Sequence, residues 1–118
     1  MHKLKELKVW TKAIDLAVDI YKATKGFPKE ETYGLTSQIR RSAVSVPSNI
    51  SEGAGRNSDN EFMHFLGIAN GSAYELETQV IISNKLELLS NDVTENLLAQ
   101  VTEIQKMNHG LMQKLKKI

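Results

Sequence analysis

The residues of this chain whose types could do chemistry are three histidines, a glycine pair and a run of serines. His2, His64 and His109 are scattered, with no carboxylate or second histidine at ligand spacing. The HExxH pattern is missing, as are the paired Glu-x-x-His signatures of di-iron bundles, so no metal centre is expected. His64, inside Phe62-Met63-His64-Phe65, reads as a half-exposed helix residue. Gly53-Ala54-Gly55-Arg56-Asn57-Ser58 has the look of a phosphate-cradling loop, but such loops need a strand that delivers the glycines to a helix N-terminus. Here a helix precedes them and no terminal Gly-Lys-Ser/Thr follows, so a helix break with a cap accounts for the stretch. Ser37, Ser42, Ser45, Ser48 and Ser51 lack a G-x-S-x-G elbow and a nearby histidine base, which leaves packing and hydrogen bonding as their use. The expectation is a protein without catalytic residues, cofactor or small-molecule substrate.

Charged residues carry more information. Arg41, Ser45, Ser48, Glu52 and Arg56 recur at spacings of 4, 3, 4 and 4, a polar seam opposite an apolar one. Such a seam is a solvated face, a contact between copies in which arginines meet Glu75 or Glu77, or a phosphate-binding stripe. On the last reading Arg40, Arg41 and Arg56, together with Lys114, Lys116 and Lys117 near the end of the chain, are the candidate nucleic-acid contacts. Basic residues in a last helical turn also complement the helix dipole. Net charge is only +1. It divides unevenly: residues 1–58 hold ten Lys and Arg against six Asp and Glu, and residues 59–118 hold five against eight. A single copy is therefore a poor dominant phosphate binder.

The elements that position these groups are helical. From about Glu6 to Lys25 the apolar residues Trp10, Ala13, Ile14, Ala17, Val18 and Tyr21 share a side. Val9, Leu16 and Ile20 widen it to roughly 200°, against the ≳ 100° stripe a surface helix needs. That excess predicts a contact beyond one intramolecular groove, with Val9, Trp10, Leu16, Ile20, Arg41, Glu52, Glu75 and Glu77 as candidate contacts between copies. Gly26 is placed as a helix-ending glycine, with Phe27 and Pro28 after it. A short turn then precedes a second helix capped by Thr36, with Leu35, Ile39, Ala43, Val46 and Ile50 on its inner side. Pro47 falls inside this register and predicts a kinked helix rather than two. Ser58-Asp59-Asn60-Glu61 has the form of a capping box opening a third helix, in which Gly67, Gly71 and Ser72 permit close helix approach. In the fourth, Leu97, Val101, Ile104, Asn108, Leu111, Leu115 and Ile118 repeat at 4, 3, 4, 3, 4, 3, the spacing of bundle packing. Asn108 occupies a core slot of that repeat, where a polar residue fixes register.

With 118 residues, 41% apolar and 25% charged, the chain makes one domain, residues 1–118, and disorder is not expected. The absence of cysteine rules out a disulfide framework and a thiolate zinc site. No apolar run reaches membrane-spanning length and the first residues lack a signal peptide's apolar stretch, so a soluble, cytoplasmic protein is expected. The fold class is all-α, an antiparallel up-down-up-down four-helix bundle with its second helix kinked at Pro47.

The stretch from Thr36 to Arg56, TSQIRRSAVSVPSNISEGAGR, resembles the signature of the 23S rRNA intervening-sequence protein family. Val9-Trp10-Thr11-Lys12-Ala13, Phe27-Pro28, Tyr33-Gly34-Leu35 and Glu75-Leu76-Glu77-Thr78-Gln79 extend the likeness over nearly the whole chain. The resemblance implies a bacterial four-helix bundle that assembles as a ring-like homopentamer and has no established enzymatic activity. It further implies association with RNA or a nucleic-acid-binding protein, as in a related branch of retroelement accessory proteins that use a basic surface. With a charge of only +1 this chain departs from that strongly basic branch. A structural adaptor ring that binds a protein partner without nucleic acid is the alternative.

Overall fold

Each amphipathic stretch forms a helix in the computed structural model, which describes residues 2–116. Lys117 and Ile118, expected in the basic tail and in the last heptad position, lie outside the described residues. Helices α1 (Lys8–Ala23), α2 (Leu35–Ala54), α3 (Asp59–Lys85) and α4 (Asn91–Lys116) pack around one apolar core, with no strand among the described residues. Neighbours touch as α1 with α2, α2 with α3, α3 with α4 and α4 with α1. The result is a four-helix bundle of 48 × 24 × 20 Å.

Local signals in the sequence explain most of the helix ends. The Ser58 hydroxyl accepts from the Glu61 N–H at 3.2 Å, the capping interaction that starts α3. Ser90 does the same for α4, accepting from the Val93 N–H at 3.2 Å. Two expectations need correction. Thr36 is not the cap of α2: the helix begins at Leu35, whose N–H donates to Glu31 Oε1 at 3.1 Å, because the turn Lys29–Glu31 brings that carboxylate over the helix start. Gly26 does not end α1 in a left-handed conformation either. Thr24 ends it, with its hydroxyl donating to the Ile20 carbonyl at 2.8 Å.

Helix α2 runs unbroken through Pro47, which is buried. Pro47 has no N–H, so the Ala43 carbonyl lacks its usual helical donor. The inner positions of α2 meet α3 at small residues. The Ser45 and Ser72 hydroxyls hydrogen-bond at 2.8 Å, and the Asn49 side chain donates to the Ser45 carbonyl at 2.9 Å. Further along, Gly53 lies directly against Phe62 and Phe65. On the other side of α3, Asn108 of α4 is 2% exposed and donates to the Leu66 carbonyl at 2.9 Å. Lys12–Glu103, at 3.1 Å, and Asp19–Gln100, at 3.0 Å, tie α1 to α4.

Candidate functional site

The structure does not gather the expected phosphate contacts into one stripe. Arg40 is half-buried between α1 and α2. Its Nε donates to Thr24 Oγ1 at 2.9 Å, and its guanidinium lies over the Tyr21 ring, 4.6 Å from the centroid. Arg56 is held by Glu52 at 2.9 Å, approaches Glu61 at 4.0 Å and stacks over Phe65 at 4.8 Å. Both arginines are thus engaged in fastening helix ends. Arg41 is exposed and has no ion pair among the described residues. Arg40 and Arg41 sit where α1 ends. Arg56 sits at the far end of α2, where the backbone N–H of His2 donates to the Ala54 carbonyl at 3.1 Å. Lys114 and Lys116, both exposed, close α4.

The candidate contacts between copies also need correction. Val9, Leu16 and Ile20 are 4%, 2% and 0% exposed: they are buried within the subunit and inaccessible to a second copy. The reason is that α1 touches two helices, α2 and α4, so most of its wide arc is spent internally. Trp10 is half-buried and packs against the core. Glu52 is paired with Arg56, and Glu77 accepts a hydrogen bond from Gln105 Nε2 at 2.8 Å. Glu75 is exposed and shares with Arg41 a polar groove of ≈ 540 Å³ between α2 and α3, whose floor includes Ser42, Ser72 and Gln79.

Two apolar surfaces remain outside. A groove of ≈ 640 Å³ between α1 and α2 is lined by Ile14, Ala17, Val18, Tyr21, Val44 and Pro47, with Lys22, Lys25 and Arg40 at its margin. Val18, Tyr21 and Val44 are 47%, 44% and 42% exposed there. Helix α3 leaves Ile68, Tyr74, Ile81 and Ile82 exposed, as is Leu86 at its C-terminal cap. Surplus apolar surface does lie on the first helix, but the residues carrying it are Val18 and Tyr21. The α3 side is not among the expected contacts, although Gly67, Gly71, Tyr74, Thr78 and Ile81 recur at 4, 3, 4 and 3 in the sequence.

The histidines do not form a centre. His2 Nε2 lies 3.3 Å from Asp59 Oδ1, His64 meets the edge of Phe65, and His109 is exposed. No group of three or more residues able to hold a metal exists among the described residues. No helix among them is long and apolar enough to cross a membrane.

A helical bundle with patches of uncovered apolar surface and no metal-holding cluster among the described residues is the class of protein these features define. Within that class, residues 5–110 match the 23S rRNA-intervening sequence protein family, and the chain belongs to it. Among solved structures it is similar to a protein of unknown function from the S23 ribosomal protein family of Bacteroides thetaiotaomicron. The two are 27% identical with a TM-score of 0.80, over 89% of this chain and 98% of that one. No curated protein matches the chain.

Proposed function

We propose that this chain is a non-enzymatic subunit that assembles with copies of itself and serves as a scaffold in an RNA or ribonucleoprotein assembly. The observation that carries the reading is the uncovered apolar surface on α1–α2 and on α3: monomeric proteins rarely leave such patches exposed, and they mark interaction sites. The family is described by an intervening sequence of 23S rRNA, which supports an RNA-linked role for this member. Repetition of a weakly basic surface around an assembly raises avidity without a strongly basic subunit. Lys114 and Lys116 are the phosphate contacts of this reading, joined by the exposed Lys3, Lys5 and Lys8, because the start of α1 and the end of α4 share one end of the bundle. Five copies in a closed ring, in the bacterial cytoplasm, is the arrangement the family pattern leads one to expect.

Light scattering on a sizing column is expected to give a mass several times the 13.2 kDa of one chain. A stable monomer at micromolar concentration overturns the reading. Binding to structured RNA is expected to weaken steeply with salt, and Lys114→Glu with Lys116→Glu to lower the salt slope by about one for each phosphate no longer neutralised. The adaptor reading, in which the assembly binds a protein and no nucleic acid, is favoured by one observation: Arg40 and Arg56 are already engaged within the subunit. Absence of RNA binding at low salt decides for it.

A further inference from the structure

The polar groove between α2 and α3 shares no lining residue with the apolar groove between α1 and α2. Its volume, ≈ 540 Å³, falls in the range that small ligands occupy. Gln79, on its floor, is only 9% exposed, and the Oε1 of that residue is buried with no hydrogen-bond partner. A buried acceptor without a donor is costly, and bulk water does not reach this one. Arg41 on the α2 wall and Glu75 on the α3 wall are both exposed. Neither has an ion pair among the described residues, with the other or with any third group. The Ser45 and Ser72 hydroxyls, by contrast, satisfy each other at 2.8 Å. The groove thus combines a free cation, a free anion and an orphaned acceptor beside a hydroxyl pair that is already complete.

Spacing along the helices relates these groups. Glu75 and Gln79 are four residues apart on α3, so they are neighbours on one helix face. The Glu75 carboxylate and Gln79 Oε1 are acceptors that one ammonium, with its three donors, can serve together. Arg41 lies one turn of α2 from Ser45, and Glu75 about one turn of α3 from Ser72, so the serine contact sets the two charges on facing walls. A guanidinium takes a carboxylate through two parallel N–H donors. A simple anion would meet repulsion from Glu75 and leave Gln79 Oε1 unanswered, and a simple cation would be repelled by Arg41. A ligand that answers all three groups carries a carboxylate and an ammonium close together.

We infer that this groove is a binding site for a free α-amino acid, whose carboxylate pairs with Arg41 and whose ammonium donates to Glu75 and to Gln79 Oε1. A single carbon separates the two charged groups of such a ligand, which suits walls that already touch at Ser45 and Ser72. The site does not depend on the self-assembly proposed above. Exposed ion pairs contribute little each, so the affinity is modest, with a Kd of about 1–10 mM.

Titration of the intact protein with glycine, followed by backbone amide chemical shifts, tests the site. Saturable shifts are expected at Arg41, Ser42, Ser72, Glu75 and Gln79, and not along the α1–α2 groove. Acetate and methylammonium, which carry the two charges of glycine separately, are each expected to bind at least tenfold more weakly. Acetate binding as tightly as glycine makes the groove a plain anion site and overturns the inference. The absence of any saturable shift with glycine overturns it as well, and leaves trapped water as the partner of Gln79. Arg41→Gln and Glu75→Gln, both at exposed positions, are expected to keep the wild-type unfolding temperature and to weaken glycine binding at least tenfold. Gln79→Leu removes the orphaned acceptor, so it is expected to raise the unfolding temperature without ligand while also weakening glycine binding. A structural glutamine would give the opposite stability change. That result, or unchanged binding in any of the three variants, overturns the assignment.

Discussion

Replacing Gly53 with alanine is expected to destabilise the fold, although alanine is the better helix former. Gly53 is buried in the last turns of α2. A methyl group there would lie 2.8 Å from Phe65 Cβ, 2.9 Å from Phe62 Cδ1 and 3.2 Å from the Phe62 carbonyl. The first and last of these are parts of α3 that move only with its backbone. Helix propensity favours alanine by about 1 kcal/mol, and overpacking of a filled contact costs about 1–3 kcal/mol. Overpacking wins because the crossing must widen, and Phe62, at 0% exposure, has no free space to move into. The net loss, up to about 2 kcal/mol, corresponds to up to about 8 °C in unfolding temperature for a chain of this size. Gly53→Leu is expected not to fold. Thermal unfolding at one fixed protein concentration checks the sign, and a raised midpoint for Gly53→Ala would refute the close crossing. Shortening the opposing side chain, Gly53→Ala with Phe62→Leu, should cost less than the two changes summed, since both act on one contact.

Asn108 is the second position where a single change has a large effect. Its Nδ2 bond to the Leu66 carbonyl is buried, and its Oδ1 has no partner. Asn108→Asp places a carboxylate against a carbonyl oxygen with no cation beside it, at a cost of about 3–5 kcal/mol at neutral pH. Burial raises the folded-state pKa of that new carboxyl above its unfolded value of about 3.9. The variant should therefore approach wild-type stability below about pH 4, where the protonated acid can donate to Leu66, and lose stability as pH rises from there. Urea unfolding at pH 4 and pH 7 distinguishes this from a simple packing defect, which would be insensitive to pH. Asn108→Leu acts in the opposite direction. It removes the orphaned Oδ1 and leaves the Leu66 carbonyl its bond within α3, so the gain from burying leucine outweighs a lost hydrogen bond of about 1 kcal/mol. A net gain of about 1 kcal/mol is expected, with looser register between α3 and α4 because the polar pair no longer selects it. A loss would show that the hydrogen bond contributes more than it typically does.

These two positions also separate what spacing along the chain reveals from what it hides. Asn108 stands out in the sequence because it interrupts a seven-residue apolar repeat, and its burial on α3 follows from that interruption. Gly53 does not: in sequence it is the first glycine of a helix-ending pair, and only the crossing of α2 with α3 shows what it is for. Gly67 and Gly71 reverse the case. Their size suggests close packing, and the subunit places nothing near them. Glu87 adopts φ 62 in the turn after α3, a left-handed conformation with no glycine to announce it. The basic residues give the same lesson from electrostatics. Arg40, Arg41 and Arg56 look like one stripe on one helix, yet two of them are drawn into contacts with Tyr21, Thr24, Glu52 and Phe65.

Local periodicity, capping residues and the long signature from Thr36 to Arg56 were enough, by themselves, to establish four helices, their approximate limits and the family. These properties depend on residues within a turn or two of one another, and spacing along the chain records them directly. Which part of each apolar face is covered by the subunit's own helices was decided only by tertiary packing. An arc of α1 wide enough for two neighbours looks the same whether both belong to the subunit or one belongs to another copy. The bundle resolves it by burying Val9, Leu16 and Ile20 and leaving Val18, Tyr21 and Val44 outside, because α2 and α4 approach α1 from two sides and the third stays open.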